Sequence, residues 1–336
     1  MLNKVSVRFN ALLFFLVTAT LFLSDKIIDP VSLPKFTILW LGIGLLVYPS
    51  LRYLFNSNNT EIKRLLVLIL FIAILAIVLA LISEDPYQGI YGTFQRNNGV
   101  LFMFLVLGTF VVSTSSFSPK NSFNLARTLL ILGLAESSLG VAQYFGFKLI
   151  IARNEYSPIL GTFGNPNHYS SFIGFTLITA LYLLLHQRNS KLVLFASISL
   201  LMLGLSTILL SQSIQGIFVF GSGTIVLLLV KFWNKVRIRN TFLLFVTSFG
   251  LISLLGLINI GPLRSLLFQD SNLYRWDYWR AAFKAILRKP LTGYGPDQFA
   301  SAYSVLRDDV AIQRRSTIVS DNAHNWYLQI GSTYGL

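Results

Sequence analysis

The sequence predicts an all-α protein that crosses a membrane many times, and two observations indicate this fold class. Apolar residues make up 54% of the 336 residues and charged residues only 12%, whereas about one quarter of a soluble domain is charged. Apolar runs close to the roughly 20 residues that a helix needs to cross a bilayer recur along the chain. The chain contains no cysteine, so neither disulfides nor thiolate metal sites contribute to the fold.

Nine apolar runs predict about nine complete transmembrane helices. In chain order they cover residues 9–24, 36–55, 65–83, 99–117, 125–146, 168–186, 191–210, 214–231 and 241–260. A tenth run begins near Asn325 and stops at Leu336, too soon to cross a bilayer. We therefore expect a single membrane domain over residues 1–336, which is a C-terminally truncated fragment of a longer protein.

The distribution of lysine and arginine predicts the orientation of these helices. Segments on the side of the N-terminus are basic, with Glu61 as their one acid, whereas the short loops on the other side carry balanced charge. By the positive-inside rule the N-terminus is cytoplasmic. The net charge of +14 therefore reflects membrane topology, and we expect no nucleic-acid partner.

Residues 261–324 form the one long polar stretch, which we predict to be a large outer loop with short helices. Residues 274–287 are typical of a helix on the membrane surface. Its predicted apolar stripe consists of Tyr274, Tyr278, Phe283 and Ile286. The loop also contains seven arginines, which are Arg264, Arg275, Arg280, Arg288, Arg307, Arg314 and Arg315.

Four polar clusters interrupt the apolar background. They are residues 91–99, residues 161–168, residues 211–216 and the long loop that ends in His324. The orientation derived from basic residues places all four clusters on the outer face. Because that orientation uses none of these motifs, the sequence predicts a single outer site.

Three segments of the chain are similar to motifs of a known family. Gly161-Thr-Phe-Gly-Asn-Pro-Asn-His168 matches a Gly-x-x-x-Asn-Pro-Asn signature, and residues 275–299 match the pattern of a large periplasmic loop. Residues 323–336 match the segment that closes that loop. The chain from about Gly92 onward thus resembles the O-antigen ligase and O-antigen polymerase superfamily. Where members often carry Ser-Arg-Gly, this chain has Ser213-Ile214-Gln215-Gly216, so the arginine is missing.

The resemblance implies a glycosyltransferase of the bacterial cytoplasmic (inner) membrane. Such an enzyme moves a glycan from an undecaprenyl-diphosphate carrier to a hydroxyl of lipid A core, a protein or a growing polysaccharide. Its partners are that lipid-linked donor, the acceptor and the surrounding membrane lipids. The resemblance does not separate a ligase from a polymerase.

Histidine and arginine are the side chains that this transfer needs. His324 is the candidate general base on the acceptor hydroxyl, or a group that orients it. Arg275 is the first candidate for stabilising the diphosphate, followed by Arg96 and Arg280, because guanidinium groups bind phosphate oxygens. No Asp-x-Asp metal pair occurs. We therefore expect metal-independent transfer and no cofactor.

Five further polar residues complete the predicted site. Asn165, Asn167 and Asn325 position the diphosphate or glycan, or cap helices. Gln215 is a further candidate. Glu136 is the one acid within a predicted span, where carboxylates are usually functional. It either serves acceptor binding or proton movement, or makes a structural hydrogen bond.

The sequence leaves two other functions open. A polytopic transporter or flippase of lipid-linked glycans would need polar groups near the midplane of the bilayer. An inactive scaffold for envelope assembly would tolerate both the missing arginine of Ser-Arg-Gly and the expected truncation.

Overall fold

The structure is a computed structural model that describes residues 4–94, 96–148, 157–186, 190–267 and 270–335. Within these residues it contains helices and no strands. The first eight helices are α1 Lys4–Leu21, α2 Ser32–Phe55, α3 Thr60–Leu81, α4 Pro86–Tyr91, α5 Val100–Ser116, α6 Ser122–Tyr144, α7 Pro166–His186 and α8 Lys191–Leu210. The other seven are α9 Gln215–Phe232, α10 Val236–Leu257, α11 Arg264–Leu267, α12 Asp270–Arg288, α13 Phe299–Leu306, α14 Asp309–Arg314 and α15 Trp326–Tyr334.

Seven of the described helices are long and apolar enough to cross a membrane, namely α2, α3, α6 with its preceding turn, α7, α8, α9 and α10. Helices α1 and α5 are apolar but shorter. The protein is therefore an all-α, multi-pass membrane protein, as the composition predicts. All nine predicted runs coincide with helices, but the count of nine complete spans stays a prediction. The tenth span also stays a prediction, because α15 has only nine residues.

Side-chain caps explain why several helices begin where they do. Oxygens of Asn59, Asp85 and Ser190 accept hydrogen bonds from the first backbone N–H groups of α3, α4 and α8. The first N–H groups of a helix have no partner within the helix, so such caps stabilise its start. Asn325 does the same for α15 and accepts from two N–H groups.

The chain forms two compact units, one of Met1–Asn56 and Gly108–Arg239 and the other of Ser57–Leu107 and Asn240–Leu336. The core of the first unit lies among α6, α7 and α8. Helices α7 and α9 also cross closely, because a Cβ atom on Gly174 would lie 2.4 Å from the Gly216 carbonyl oxygen. A side chain larger than hydrogen at either position would push the two backbones apart. The close contact between α7 and α9 therefore requires glycine.

The second unit has an aromatic core where α12 packs against α13 and α15. Tyr278, Phe299 and Tyr303 are buried there and their rings contact one another edge-on or tilted. Buried alanines of α12 allow the close approach, and these are Ala281, Ala282 and Ala285. The polar stretch at residues 261–324 thus has a hydrophobic core of its own. Its predicted place outside the membrane stays a prediction.

The predicted surface stripe of α12 is wrong, although the predicted helix is present. Tyr278 and Ile286 are buried at 8% exposure each, whereas Phe283 is 56% exposed. The four residues therefore do not share one surface. The apolar side that includes Tyr278 faces α13 and α15, and a different set of residues remains exposed.

The segment after α12 hydrogen-bonds to the C-terminal end of α15. The backbone N–H groups of Tyr294 and Gly295 donate to the carbonyl oxygens of Ser332 and Thr333, both at 2.9 Å. Gly293 has a φ of 59°, and a Cβ atom there would lie 2.4 Å from the Thr333 carbonyl carbon. The Pro-x-x-Gly-x-Gly segment thus pairs carbonyl groups that the helix itself leaves without a partner.

Candidate functional site

A cavity of about 540 Å³ lies within the second unit. Its apolar wall comes from α3, α5 and α15 and includes Ile72, Leu75, Leu79, Phe102, Met103 and Ile330. Its polar end includes Arg96, Asn98, Asp297, Asn322, His324 and Asn325. One cavity thus joins an apolar surface to a group of polar side chains that includes Arg96, His324 and several amides.

His324 is held at this polar end by its neighbours on both sides. Its backbone N–H donates to Asn322 Oδ1 at 2.7 Å, and Asn325 caps the helix that follows. The imidazole stacks on the Tyr278 ring of α12, with centroids 5.5 Å apart and planes at 30°. These contacts fix the direction of the imidazole.

The surroundings of His324 favour its neutral form. Partial burial of the ring against the protein lowers its pKa below the usual 6.5, and the positive charges of Arg275 and Arg96 lower it further. Asp321 opposes this effect and raises the pKa. The side chain is still exposed overall, so solvent moderates each of these charges. A neutral imidazole is the form that accepts a proton.

Arg275 lies close enough to His324 to affect its charge. It occupies α12 one turn before Tyr278, the residue on which the imidazole stacks. Residues three apart on a helix share a face, and the Arg275 side chain is exposed there. The structure thus brings together the two residues that the sequence ranks first, although they are far apart along the chain.

Arg96 joins the first and fourth polar clusters. Its guanidinium donates to the Asp321 carbonyl oxygen at 2.7 Å and forms an ion pair with Asp321 Oδ1 at 2.6 Å. Arg96 lines the cavity close to His324. Gln95, which belongs to the same predicted cluster, lies outside the described residues.

Asp297 supports the turn that carries Arg96, and the sequence analysis missed it. Its Oδ2 accepts the Thr93 backbone N–H at 2.7 Å and the Thr93 hydroxyl at 2.9 Å. Gln88 Nε2 donates to the Asp297 carbonyl oxygen at 2.7 Å. The one signal in the sequence is an acid directly after the Gly-x-Gly-Pro segment, and its partner 204 residues away cannot be read from spacing.

Arg280 belongs to an ion-pair network of the polar stretch and does not line the cavity. It pairs with Asp277 Oδ1 at 2.7 Å and with Asp308 Oδ2 at 3.3 Å, while Arg314 pairs with Asp277 Oδ2 at 2.5 Å. Asp277 is only 4% exposed. Lys284 hydrogen-bonds Asp308 and, with the nearby charge of Arg280, lowers its pKa. This geometry gives Arg280 a structural role, and its predicted contact with a diphosphate stays a prediction.

The second and third polar clusters meet in the first unit. Asn165 Oδ1 accepts the Asn167 N–H at 2.8 Å and so caps α7. Asn167 Oδ1 in turn accepts the Ser213 hydroxyl at 2.8 Å, and Gln215 Oε1 accepts the Ser171 hydroxyl at 3.3 Å. The Asn-Pro-Asn motif therefore fastens the start of α7 to the start of α9.

Glu136 has hydrogen-bond partners in the first unit. Its carboxylate accepts the Thr162 hydroxyl at 2.7 Å and the Thr162 backbone N–H at 3.2 Å. The Thr162 hydroxyl also lies 3.5 Å from Lys35 Nζ, which donates to the carbonyl oxygens of Ala19 and Thr20. Glu136 is fully buried. These bonds favour the structural reading, in which Glu136 holds the loop before α7.

Comparison with known proteins supports the resemblance. Residues 199–336 match the family described as O-antigen ligase. The matched region includes Gln215, Arg275, His324 and the segment that closes α15. No curated protein matches the chain. The match confirms the predicted resemblance to the O-antigen ligase and polymerase superfamily, whose members are glycosyltransferase-like membrane enzymes.

The described residues contain no group of three or more His, Asp or Glu side chains that could hold a metal ion. Metal-independent transfer nevertheless stays a prediction, because the donor lipid could itself bring a cation through its diphosphate oxygens.

Proposed function

We propose, from the match of residues 199–336 to the O-antigen ligase family, that this protein transfers a glycan from a polyprenyl-diphosphate carrier to an acceptor hydroxyl. The observation that carries the proposal is the cavity of about 540 Å³, whose lining combines an apolar wall with Arg96, His324 and amide side chains. The acceptor is a lipid A core, a protein or a growing glycan chain. Ligase and polymerase differ only in that acceptor.

The two ends of the cavity suit the two ends of the donor. The apolar wall from α3 and α5 matches a polyprenyl chain, which gains about 25 cal/mol for each Å² of apolar surface removed from water. Arg96 at the polar end matches the diphosphate, since guanidinium groups bind phosphate oxygens in a planar fork. Arg275 adds positive charge near His324.

The transfer requires a base for the acceptor and stabilisation for the leaving group. In our proposal the neutral His324 imidazole takes the proton of the acceptor hydroxyl as its oxygen bonds to the anomeric carbon. The bond between that carbon and the diphosphate oxygen breaks, and the diphosphate leaves with the electron pair. Arg96 and Arg275 stabilise the charge that develops on it.

We place this reaction at the outer face of the bacterial cytoplasmic membrane, with the N-terminus inside. The support is the basic character of the segments on the N-terminal side, such as that around Lys63 and Arg64. In this proposal, residues 261–324 meet the lipid-linked donor outside the cytoplasm. Asn165, Asn167 and Gln215 act by holding α7 and α9 together.

The test is transfer by the full-length protein in proteoliposomes with a labelled lipid-linked oligosaccharide. His324→Ala should lower the rate by about 10²–10⁴-fold, the usual contribution of a general base. His186→Ala provides a matched control, because His186 lies at the end of α7, where its Nδ1 hydrogen-bonds the Tyr182 carbonyl oxygen and its ring stacks on Tyr182. Full activity of the His324 variant would refute the assigned base.

A further inference from the structure

Helix α12 exposes an apolar stripe on the side opposite its core. Trp276, Phe283 and Leu287 are 57%, 56% and 66% exposed. Their spacing of seven and then four residues places them on one face of the helix. Leu291 and Val305, which follow on the next segment and on α13, are also exposed, at 80% and 69%. These residues form a surface that is unusually apolar for a segment outside the predicted spans.

A cationic pocket adjoins the C-terminal end of this stripe. It has a volume of about 360 Å³ and is lined by Lys284, Leu287, Arg288, Val305, Leu306 and Arg307. Lys284 is paired with Asp308, and the Arg307 guanidinium donates to carbonyl oxygens of Ile318 and Ser316. Among the described residues no carboxylate pairs with Arg288. Its charge is therefore available to an anion from outside the protein.

The pocket lies near the end of a membrane-spanning helix. Lys289, next to Arg288, forms an ion pair with Glu84 at 2.9 Å, and Gln298 Nε2 donates to Ser83 Oγ at 2.8 Å. Both partners follow directly after α3, which ends at Leu81. The headgroup layer extends roughly 5–8 Å beyond the hydrocarbon on each side of a bilayer. Arg288 is therefore at the depth of lipid headgroups if α3 crosses the membrane.

We propose that the end of α12 and the adjacent α13 bind an anionic phospholipid of the surrounding bilayer. Arg288 binds the headgroup phosphate, with Lys284 and Arg307 beside it. Leu287, Leu291 and Val305 contact the apolar boundary of the lipid. Apolar surface next to unpaired positive charge is the pattern of helices that lie in a membrane interface. This site is separate from the cavity that contains His324 and does not depend on the proposed reaction.

The test uses the full chain in lipid nanodiscs. Because the protein has no cysteine, Leu287→Cys supplies a single position for a fluorescent label. Gln313→Cys, at an exposed polar residue of α14, is the matched control. We expect lipids with a nitroxide headgroup to quench the label at position 287 more than the label at 313. An aqueous quencher should act in the opposite order, and quenching equal at both positions by both agents would overturn the proposal.

A second measurement tests which phospholipid binds and whether Arg288 binds it. Nitroxide-labelled phosphatidylglycerol should quench position 287 more than nitroxide-labelled phosphatidylcholine at the same mole fraction. Arg288→Gln should lower the apparent affinity for phosphatidylglycerol about fivefold, the effect of one basic residue at an anionic membrane surface. Arg288→Lys should retain it. Loss of the signal on adding inorganic phosphate would assign the pocket to a free anion, and an unchanged affinity in Arg288→Gln would exclude Arg288; either result contradicts the proposal.

Discussion

His324 sits in a backbone conformation that few residues other than glycine adopt. Its φ is 50°, in the left-handed region that costs energy for most side chains. The Asn322 side chain accepts its N–H, and the cap at Asn325 starts a helix immediately after it. Together these contacts direct the imidazole toward Tyr278 and the polar end of the cavity. Asn322 and Asn325, on either side of the histidine, thus both stabilise its backbone conformation.

The protonation of His324 provides a prediction at the scale of one residue. Its imidazole should titrate below 6.5 in the folded protein, because burial and then Arg275 disfavour the charged form. Arg275→Gln should raise this pKa and Asp321→Asn should lower it. The measurement is an NMR pH titration of the His324 ring in the full-length protein.

The direction of the pKa shift of His324 also determines how the rate of transfer depends on pH. A base with a lowered pKa stays neutral to lower pH, so the rate should fall only below the usual titration range of histidine. A His324 pKa at or above 6.5, or one that does not respond to Arg275→Gln, would contradict the assigned electrostatics.

Single residues differ in how far the sequence predicts their role. The proximity of His324 and Arg275 is what their motifs predict, whereas their roles in the transfer stay a prediction. The pairing of Arg280 with Asp277 follows from their spacing of three residues on a helix. Asp297 and Tyr278 could not be predicted, because their roles depend on partners far away along the chain.

At the scale of elements, the contact between the glycine segment and α15 determines how the polar stretch closes. Tyr294 and Gly295 donate to the last carbonyl groups of α15, and Asn325 caps its first N–H groups. A nine-residue helix is too short to be stable alone in water. The helix that follows His324 therefore depends on these contacts at both ends and on its packing against α12.

Gly293→Ala tests this closure. The added methyl group would lie 2.4 Å from the Thr333 carbonyl carbon at a φ of 59°, so we expect a loss of about 1–3 kcal/mol in stability. Thermal unfolding in detergent, followed by circular dichroism, should show a lower midpoint for this variant.

Gly250→Ala is the control for that experiment. Gly250 lies within α10, and among the described residues no heavy atom lies within 4 Å of the position of its missing Cβ, apart from its chain neighbours and the adjacent backbone of its own helix. Alanine favours a helix by about 0.5–1 kcal/mol over glycine, so this variant should be as stable as the natural protein or more so. Equal midpoints for the two variants would contradict the account of α15.

Helix α12 shows why a helix can be predicted correctly while its buried face is predicted wrongly. Its sequence has apolar residues on two sides, so periodicity predicts the helix but does not choose between Tyr278 and Trp276 for the core. The choice depends on α13 and α15, whose small and aromatic residues fit the side with three alanines. Periodicity within one helix contains no information on such partners.

At the scale of the whole molecule, the four polar clusters assemble in pairs within the two units. Residues 161–168 meet residues 211–216 through Asn167 and Ser213 in the first unit. The turn around Arg96 meets the segment before His324 in the second. The sequence predicts one outer site for all four. The structure supports each pair separately, and the single site stays a prediction, as does a single membrane domain.

The predicted orientation is tested by cysteine accessibility, for which the cysteine-free chain is well suited. Gln313→Cys lies in the predicted outer loop, and Lys120→Cys lies in a predicted cytoplasmic segment; both side chains are exposed. A membrane-impermeant maleimide should label position 313 in intact spheroplasts. Position 120 should react only after the membrane is permeabilised, and the reverse pattern would show that the orientation is inverted.

The most direct test of the proposed function is to locate the donor lipid. A polyprenyl diphosphate with a diazirine on its isoprenoid chain would be photo-crosslinked to the full-length protein, and the modified peptides identified by mass spectrometry. We predict adducts at residues 72–79 of α3 and 102–106 of α5, reduced by unlabelled polyprenyl diphosphate and by Arg96→Ala. Competed adducts confined to other helices, with none along this cavity wall, would contradict the account.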